Sequence, residues 1–450
     1  MTTIHEVGPV DSATISELIR RDDKVHYATE RDAKRHAHIG KLLDRTVGTG
    51  SRPYYDSVVI VGAGFTASVM AARLARSEQF HGKVVLAGPR TQESRRMKDG
   101  ATLRGHGTDY ICYALDVPQN AYVDALYGDI VDGRGIGTRN QVTMATKGPT
   151  GAYEFGRIAS FQGGRTGFSR PLFYGARNSR MQGAIHELMA RNGVIELAEA
   201  ITSVDEAFTL APGRRPLIVN ASHNSGLLSG RAPEVDWATS AVQAPLKVRS
   251  GGFKTVETNA SLVATVRRRN QVDVGLFNPY GDPLSPNSTF YGIIVGQVSK
   301  RAGYDKQQEL TEITEELYEV ADALGMDVDD ADETLFAGMV PGAPWKAPAS
   351  PPGTLELQLI AHQGVSATFS DGMTTGASAA VAAAEAVIRG VDPDRAARRA
   401  VREVTRDRRI WNIERNRIGP LYDLLIRTAP GAVAFYPFGY HAGTTWASAA

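Results

Sequence analysis

The sequence predicts an α/β protein: a parallel sheet, a mixed sheet inserted into it, and a helical tail. Three observations predict it. Two short apolar runs, Ser57 to Gly62 (SVVIVG) and Lys83 to Ala87 (KVVLA), flank a stretch with helical spacing, Phe65 to Arg76. Segments with strand character, SLVATVRRR, VDVGLFNPYG and STFYGIIVGQV, follow one another between 261 and 298. An Arg-rich helical pattern runs from Asp392 to Arg427.

Each element has a local reason. A continuous β-branched run is how a strand buried on both faces reads. Strand, helix and strand within about thirty residues form a βαβ unit, whose crossover is almost always right-handed. From about 100 to 174 the chain is rich in Gly, Tyr and Arg, and reads as irregular structure with short strands. Ser179 to Arg191 carries Ala184, Ile185, Leu188 and Met189 along one helical stripe, and Asn192-Gly193 ends it with a left-handed cap. Val194 to Leu197 and Pro216 to Ala221 read as strands. The segments at 261–298 read as antiparallel strands with turns at Arg269-Asn270 and near Asp282-Pro283. Lys306 to Leu324 is an acidic amphipathic helix, and Pro341 to Pro352 a Pro-rich loop. Val365 to Phe369 is one more strand and Gly376 to Arg389 one more helix. Before the first strand, Ser12 to Leu18 and Ala28 to Leu43 read as short helices, and Gly48 to Tyr55 as a linker.

Composition narrows the function. The chain has 450 residues, a prior of two to three domains at roughly 150 residues each. It is 42% hydrophobic and 22% charged. Fifty basic residues against forty-nine acidic ones leave a net charge of +1, so no global field favours nucleic acid. One cysteine, Cys112, excludes an internal disulfide framework and a Cys-based metal cluster. No apolar run is long enough for a membrane span. The opening residues lack a secretory pattern, so a cytoplasmic protein is expected. The abundance of Ala, Gly and Arg points to a bacterial origin.

The chemical signal is Gly62-Ala63-Gly64-Phe65-Thr66-Ala67, a G-x-G-x-x-A turn between a buried strand and a helix. There Gly62 permits the tight turn and Gly64 lets a pyrophosphate approach the backbone. Ala67 lets helix and strand pack closely. The helix N-terminus then offers N–H groups and a partial positive charge to the phosphates. Such sites usually carry an acid at the end of the second strand for the adenosine ribose. Here that strand ends Gly88-Pro89-Arg90, and Glu93 is the nearest carboxylate. Arg90 therefore opens an NADP reading, with the guanidinium on a 2′-phosphate.

Two later segments resemble the returns of the chain to FAD in flavoproteins of the glutathione-reductase superfamily. The para-hydroxybenzoate-hydroxylase-like monooxygenases and the D-amino-acid-oxidase-like branch show the same order. The first segment, Arg177 to Ser225, holds GARNSRMQGAIHELMARNG, VIELAEAITSVDEA and LIVNASHNS. The second is Thr368 to Ser378, TFSDGMTTGAS, which resembles the Gly-Asp motif with Ser370 in place of Gly. The resemblance implies a Rossmann-like FAD-binding domain over 53–100, 175–240 and 356–392. It also implies a mixed β-sheet substrate domain over 101–174 and 241–355. Residues 1–52 would be a helical extension and 393–450 a helical C-terminal tail. It implies that Val204 borders the adenine and that Ala221-Ser222 lies by the pyrophosphate. Arg104 would contact the pyrophosphate and Asp371 the ribityl hydroxyls. Thr375, Gly376 and Ala377 would sit where a helix start meets the flavin.

The implied activity is a flavin-dependent oxidoreductase of monooxygenase type acting on a small organic molecule, with NAD(P)H as a transient electron donor. NASHNS favours amine or amino-acid oxidation instead. An NADP-dependent reductase and a non-redox cyclase or binding protein on a flavoprotein fold stay open. Gly133-Arg134-Gly135-Ile136-Gly137 has no βαβ context, so no second nucleotide domain is expected. The catalytic residue is unassigned. His106 is the candidate, either an acid or base near the isoalloxazine or a loop histidine without a role. His186, His223 and His362 read as structural. The arginines of the tail alternate with acids, as a salt-bridged surface helix does.

Overall fold

A computed structural model describes residues 55–88, 109–113, 137–139, 141–147, 153–160, 173–222, 226–229, 237–248, 260–268, 271–279, 290–299, 305–323, 325–328, 336–341, 346–363 and 372–405. The expected helices before residue 52, the strand at 365–369 and the tail beyond 405 lie outside these residues.

The βαβ unit is present. Strand β1 (Ser57–Val61) leads through helix α1 (Phe65–Ala75) to β2 (Lys83–Ala87), which pairs parallel with β1. Strand β8 (Ile195–Leu197) adds to β2, and β9 (Pro216–Asn220) adds to the other side of β1. A two-residue strand, β16 (Thr354–Leu355), closes the far edge beside β9. The order β16-β9-β1-β2-β8 is all parallel. The chain therefore runs outward from β1 on one side and then returns to its other side, placing a topological switch point between β1 and β9.

The continuous apolar runs have a packing reason. Val58, Ile60, Val84, Leu86, Leu217 and Val219 join a core with α1, with α2 (Asn178–Arg191) and with α7 (Gly372–Arg389). Their neighbours Val59, Val61, Val85, Ala87 and Ile218 point to the opposite face, against Ile201, Ala207 and Leu227. Both faces are covered, so neither has polar alternation. At the opposite end of the sheet, Asp56 accepts from the backbone N–H of Arg215 at 2.9 Å and of Arg214 at 3.0 Å. The Arg215 hydrogen bond is the main cause that holds the Asp56 carboxyl below its ordinary range.

The alanine-rich helix α7 is apolar all round because it is buried all round. One side meets α1, and Ala382 and Ala386 meet Ala396 and Ala400 of α8 (Pro393–Thr405). Helix α7 begins at Gly372, four residues before the expected Gly376. Its single acid, Glu385, pairs with Arg73 of α1 and, at 3.3 Å, with Arg389.

The remaining strands form two further sheets. Five of them lie in or run just past the segment expected to carry short strands among irregular structure: β3 (Asp109–Tyr113), β4 (Gly137–Arg139), β5 (Gln141–Lys147), β6 (Tyr153–Ser160) and β7 (Phe173–Arg177). Strands β3, β7 and β4 make a small antiparallel sheet. The larger sheet is built on β10 (Trp237–Val248), β11 (Ala260–Arg268), β12 (Gln271–Pro279) and β13 (Phe290–Ser299). Strands β14 (Met326–Val328) and β15 (Phe336–Pro341) pair with β10. Strand β5 pairs with β11 in parallel while the other pairings are antiparallel, so the sheet is mixed and joins both inserted segments. The helix at Lys306–Ala323, α5, buries Ile313, Leu317 and Val320. Residue 240 falls within β10, and residue 356 directly follows β16.

Candidate functional site: the carboxyl end of the parallel sheet

Gly62 leaves β1 with φ +113, a conformation that side-chain-bearing residues rarely adopt. A Cβ there would lie 2.7 Å from the Ala221 carbonyl oxygen and 2.9 Å from the Ser222 nitrogen. The turn is thus pressed against the end of β9. Its N–H donates to the Ala87 carbonyl at 2.7 Å, and the Ala221 N–H donates to the Val61 carbonyl at 2.9 Å. Gly88 follows β2 with φ +154, and a Cβ on it would meet the Gly62 Cα at 3.1 Å. Three chain segments therefore converge on Gly62 within van der Waals contact.

Gly64 behaves differently. Its backbone is extended, φ −77 and ψ 175, and it caps α1 without a side-chain hydrogen bond. Among the described residues a Cβ there would meet nothing within 4 Å. The first turn of α1 has no acidic residue, and its first intrahelical bond runs from the Ser68 N–H to the Gly64 carbonyl at 3.0 Å. A helix start with these properties presents N–H groups to a space that no described residue fills, and its own first turn carries no anion. That space lies at the switch point, where parallel α/β sheets bind ligands. The residues fit the pyrophosphate of a dinucleotide: a cationic helix end, a glycine that leaves room, and a fixed backbone around it.

The other expected site residues fall into four groups. Ala63, Phe65, Thr66 and Ala67 stand in or directly after the turn, all buried. Ala221 and Ser222 stand against it. Thr375, Gly376 and Ala377 lie inside α7, and the first and last have no exposed surface. A Cβ on Gly376 would sit 2.5 Å from the Thr66 hydroxyl, so this glycine lets α7 approach the start of α1. Its contact is between helices, and the expected helix start at 376 moves to 372. Pro89, Arg90, Arg104, His106, His223 and Asp371 lie outside the described residues.

Val204, expected beside the adenine, stands on a helix that the sequence reading did not include. Strand β8 ends at Leu197, and Val204 is the first residue of a short helix, α3 (Val204–Thr209). The cause is local. The Ser203 hydroxyl accepts from the Glu206 N–H at 3.1 Å, and the Glu206 carboxylate reaches back to the Thr202 N–H at 2.9 Å. This is a form of the S-x-x-E capping box, legible as Ser203-Val204-Asp205-Glu206. His186 is buried as expected, and it has a partner the sequence did not suggest, Glu196 of β8, at 2.7 Å.

A buried polar pair at the switch point escaped the sequence reading altogether. Asn220, the last residue of β9, donates through Nδ2 to Glu356 at 2.9 Å. Both residues have no exposed surface. Register explains the meeting: Leu355 pairs with Val219 in parallel, so Glu356 emerges beside Asn220. The signal in the sequence was an isolated acid in the apolar stretch TLELQLIA, 354–361.

Among the described residues no group of His, Cys, Asp and Glu could hold a metal ion. None of their helices is long and apolar enough to cross a membrane.

No protein-family model matches the chain, and no curated protein sequence matches it. Solved structures do. A variant of 2-methyl-3-hydroxypyridine-5-carboxylic acid oxygenase is similar with a TM-score of 0.50 and 13% identity, over 87% of this chain and 99% of that one. A Klebsiella pneumoniae HpxO variant complexed with FAD is similar with a TM-score of 0.48 and 14% identity, over 79% and 86%. The tetracycline destructase Tet(51) is similar with a TM-score of 0.45 and 10% identity, over 88% and 97%. The likeness to the oxygenase is one of fold, and it spans that chain almost end to end.

Proposed function

We propose that this protein is a flavin-dependent oxidoreductase of monooxygenase type, acting on a small organic molecule with NAD(P)H as electron donor. The observation that carries the reading is Gly64: a helix start without a side-chain cap, facing a space that no described residue fills, at the switch point of a parallel sheet. The likeness in fold to an oxygenase, over 87% of this chain, is in keeping with the monooxygenase reading.

FAD, when bound, supplies the redox chemistry. The chain's own residues do the rest. The start of α1 holds the pyrophosphate through backbone N–H groups and the helix dipole. Gly62 and Gly88 bring β1 and β2 close enough for this cradle to be shallow and rigid. Ala221 and Ser222 flank it. Thr375, Gly376 and Ala377 carry α7 past the start of α1, and Asp371, just before that helix, is proposed to face the ribityl chain. Arg104 and His106 are proposed to lie on the flavin side of the cradle.

The test is spectroscopic. Purified protein is expected to show flavin absorbance, to release FAD on denaturation, and to be bleached anaerobically by NADPH. Colourless protein that binds NADPH in a strongly salt-sensitive manner, lost in Arg90→Ala, would overturn the flavin reading in favour of an NADP-dependent reductase.

A further inference from the structure

We infer that Glu356 is a positioning residue for the cofactor cradle, acting through Asn220 on the Ala221-Ser222 backbone. The inference rests on the FAD reading above.

The argument begins with donors and acceptors. The Ser222 N–H can only donate, and it lies 3.2 Å from Asn220 Oδ1; the Ser222 hydroxyl donates to the same oxygen at 2.8 Å. That fixes the orientation of the Asn220 amide, so Nδ2 must face Glu356 and donate to its carboxylate. The amide is thereby clamped between two partners in a site without water access. What it clamps is the segment that Gly62 leans on, with Ala221 and Ser222 atoms 2.7 to 2.9 Å from the position of a Gly62 Cβ. A shift of a few tenths of an ångström there moves the turn that cradles the phosphates.

Glu356 is itself anchored from behind. Its backbone N–H donates to the Ser350 hydroxyl at 2.9 Å, and that hydroxyl donates to Asp394 at 2.5 Å. Arg398 holds Asp394 through Nε and also donates to the Ala347 carbonyl at 2.8 Å and to the Pro348 carbonyl. Each donor along this path meets an acceptor, from the tail helix α8 to the glycine turn.

A swap of chemistry tests it. Asn220→Asp replaces the Nδ2 donor and puts two carboxyls 2.9 Å apart, which must either repel or take up a proton between them. The double variant Asn220→Asp/Glu356→Gln restores an uncoerced donor–acceptor pair at the wild-type net charge. The new amide at position 356 donates to the new carboxylate at position 220, which still accepts from Ser222. Apo forms are titrated with FAD by fluorescence, with apo stability measured in parallel. Asn220→Asp is expected to raise the Kd about tenfold or more, and the double variant to return it to within about threefold. The visible circular dichroism of bound flavin should change and recover in step. Ser222→Ala, which leaves the buried pair intact, should raise the Kd roughly threefold and decides the matter if Asn220→Asp does not fold. An unchanged Kd in a folded Asn220→Asp, no recovery in the double variant, or an unchanged Kd in Ser222→Ala overturns the inference. Wild-type protein that does not bind FAD overturns the cofactor reading instead, and the wild-type titration reports that separately.

Discussion

Gly62 and Gly64 belong to the same motif, yet the structure gives their substitutions opposite signatures. Consider Gly64→Val in the apo protein. The residue is extended, a conformation that β-branched side chains favour, and its Cβ meets nothing within 4 Å among the described residues. Folding stability should therefore stay within about 0.5 kcal/mol of wild type, as for an unhindered surface change. FAD binding should fall at least a hundredfold, about 2.7 kcal/mol, because backbone N–H groups must approach phosphate oxygens to about 3 Å and the isopropyl group fills that gap. Gly62→Ala should do the reverse. The left-handed backbone costs about 1–2 kcal/mol with a Cβ, and the 2.7 Å overlap with the Ala221 carbonyl adds about 1–3 kcal/mol. The apo protein should thus lose about 2–5 kcal/mol. Denaturant midpoints of the apo forms and FAD titrations of the folded forms separate the two effects. Equal destabilisation by both variants, or full FAD affinity in Gly64→Val, would refute the assignment of roles within the turn.

Other outcomes follow from the same geometry. Gly376→Ala should be neutral or destabilising in wild type, where the new Cβ meets the Thr66 hydroxyl, but stabilising by about 1 kcal/mol in a Thr66→Ala background, as a double-mutant cycle would show. Glu385→Ala should cost about 3 kcal/mol or more in urea unfolding, because it leaves Arg73 and Arg389 facing each other between helices. Asp394 is pushed up by burial, but hydrogen bonds from Arg398 and Ser350 outweigh this and hold its carboxyl below the ordinary range. A depressed carboxyl stabilises above its unfolded pKa and loses that contribution as pH falls through its folded value. Asp394→Asn should therefore lower stability at neutral pH and flatten the acid limb of the pH–stability curve below about pH 4, read by thermal melting.

The parallel sheet was legible because its signal is local and redundant. SVVIVG and KVVLA are buried on both faces, and no other element type gives runs so short, so apolar and so bounded by glycine. The cap at Gly193, φ +75, and the helix before it were legible for the same reason. Two features were less legible. Short strands were expected between about 100 and 174, but not their bounds or pairing: they carry glycine and polar residues, and their pairing partners lie far along the chain, as β5 with β11 shows. Such strands take their stability from cross-strand packing, which a window of sequence does not contain. The helix at Val204 was masked by an expectation carried from the resemblance, although Ser203 and Glu206 spelled out its cap.

The site was legible where backbone conformation dictates residue type, and illegible where side chains meet across the fold. Gly62 and Gly64 are demanded by φ and by space, so they show in the sequence. Asn220 and Glu356 are 136 positions apart, and only the parallel register of β9 and β16 brings them together. The same logic accounts for the missing acid after β2. Gly88 is held at φ +154 with the Gly62 Cα 3.1 Å from its Cβ position, so any side chain at the strand's end would strain the backbone and press on the glycine turn. On the proposed reading, the buried carboxylate of Glu356, beside the end of β9, takes a different part from the usual ribose acceptor. It holds Asn220, which accepts from Ser222, so it acts on the Ala221-Ser222 backbone and through it on the glycine turn.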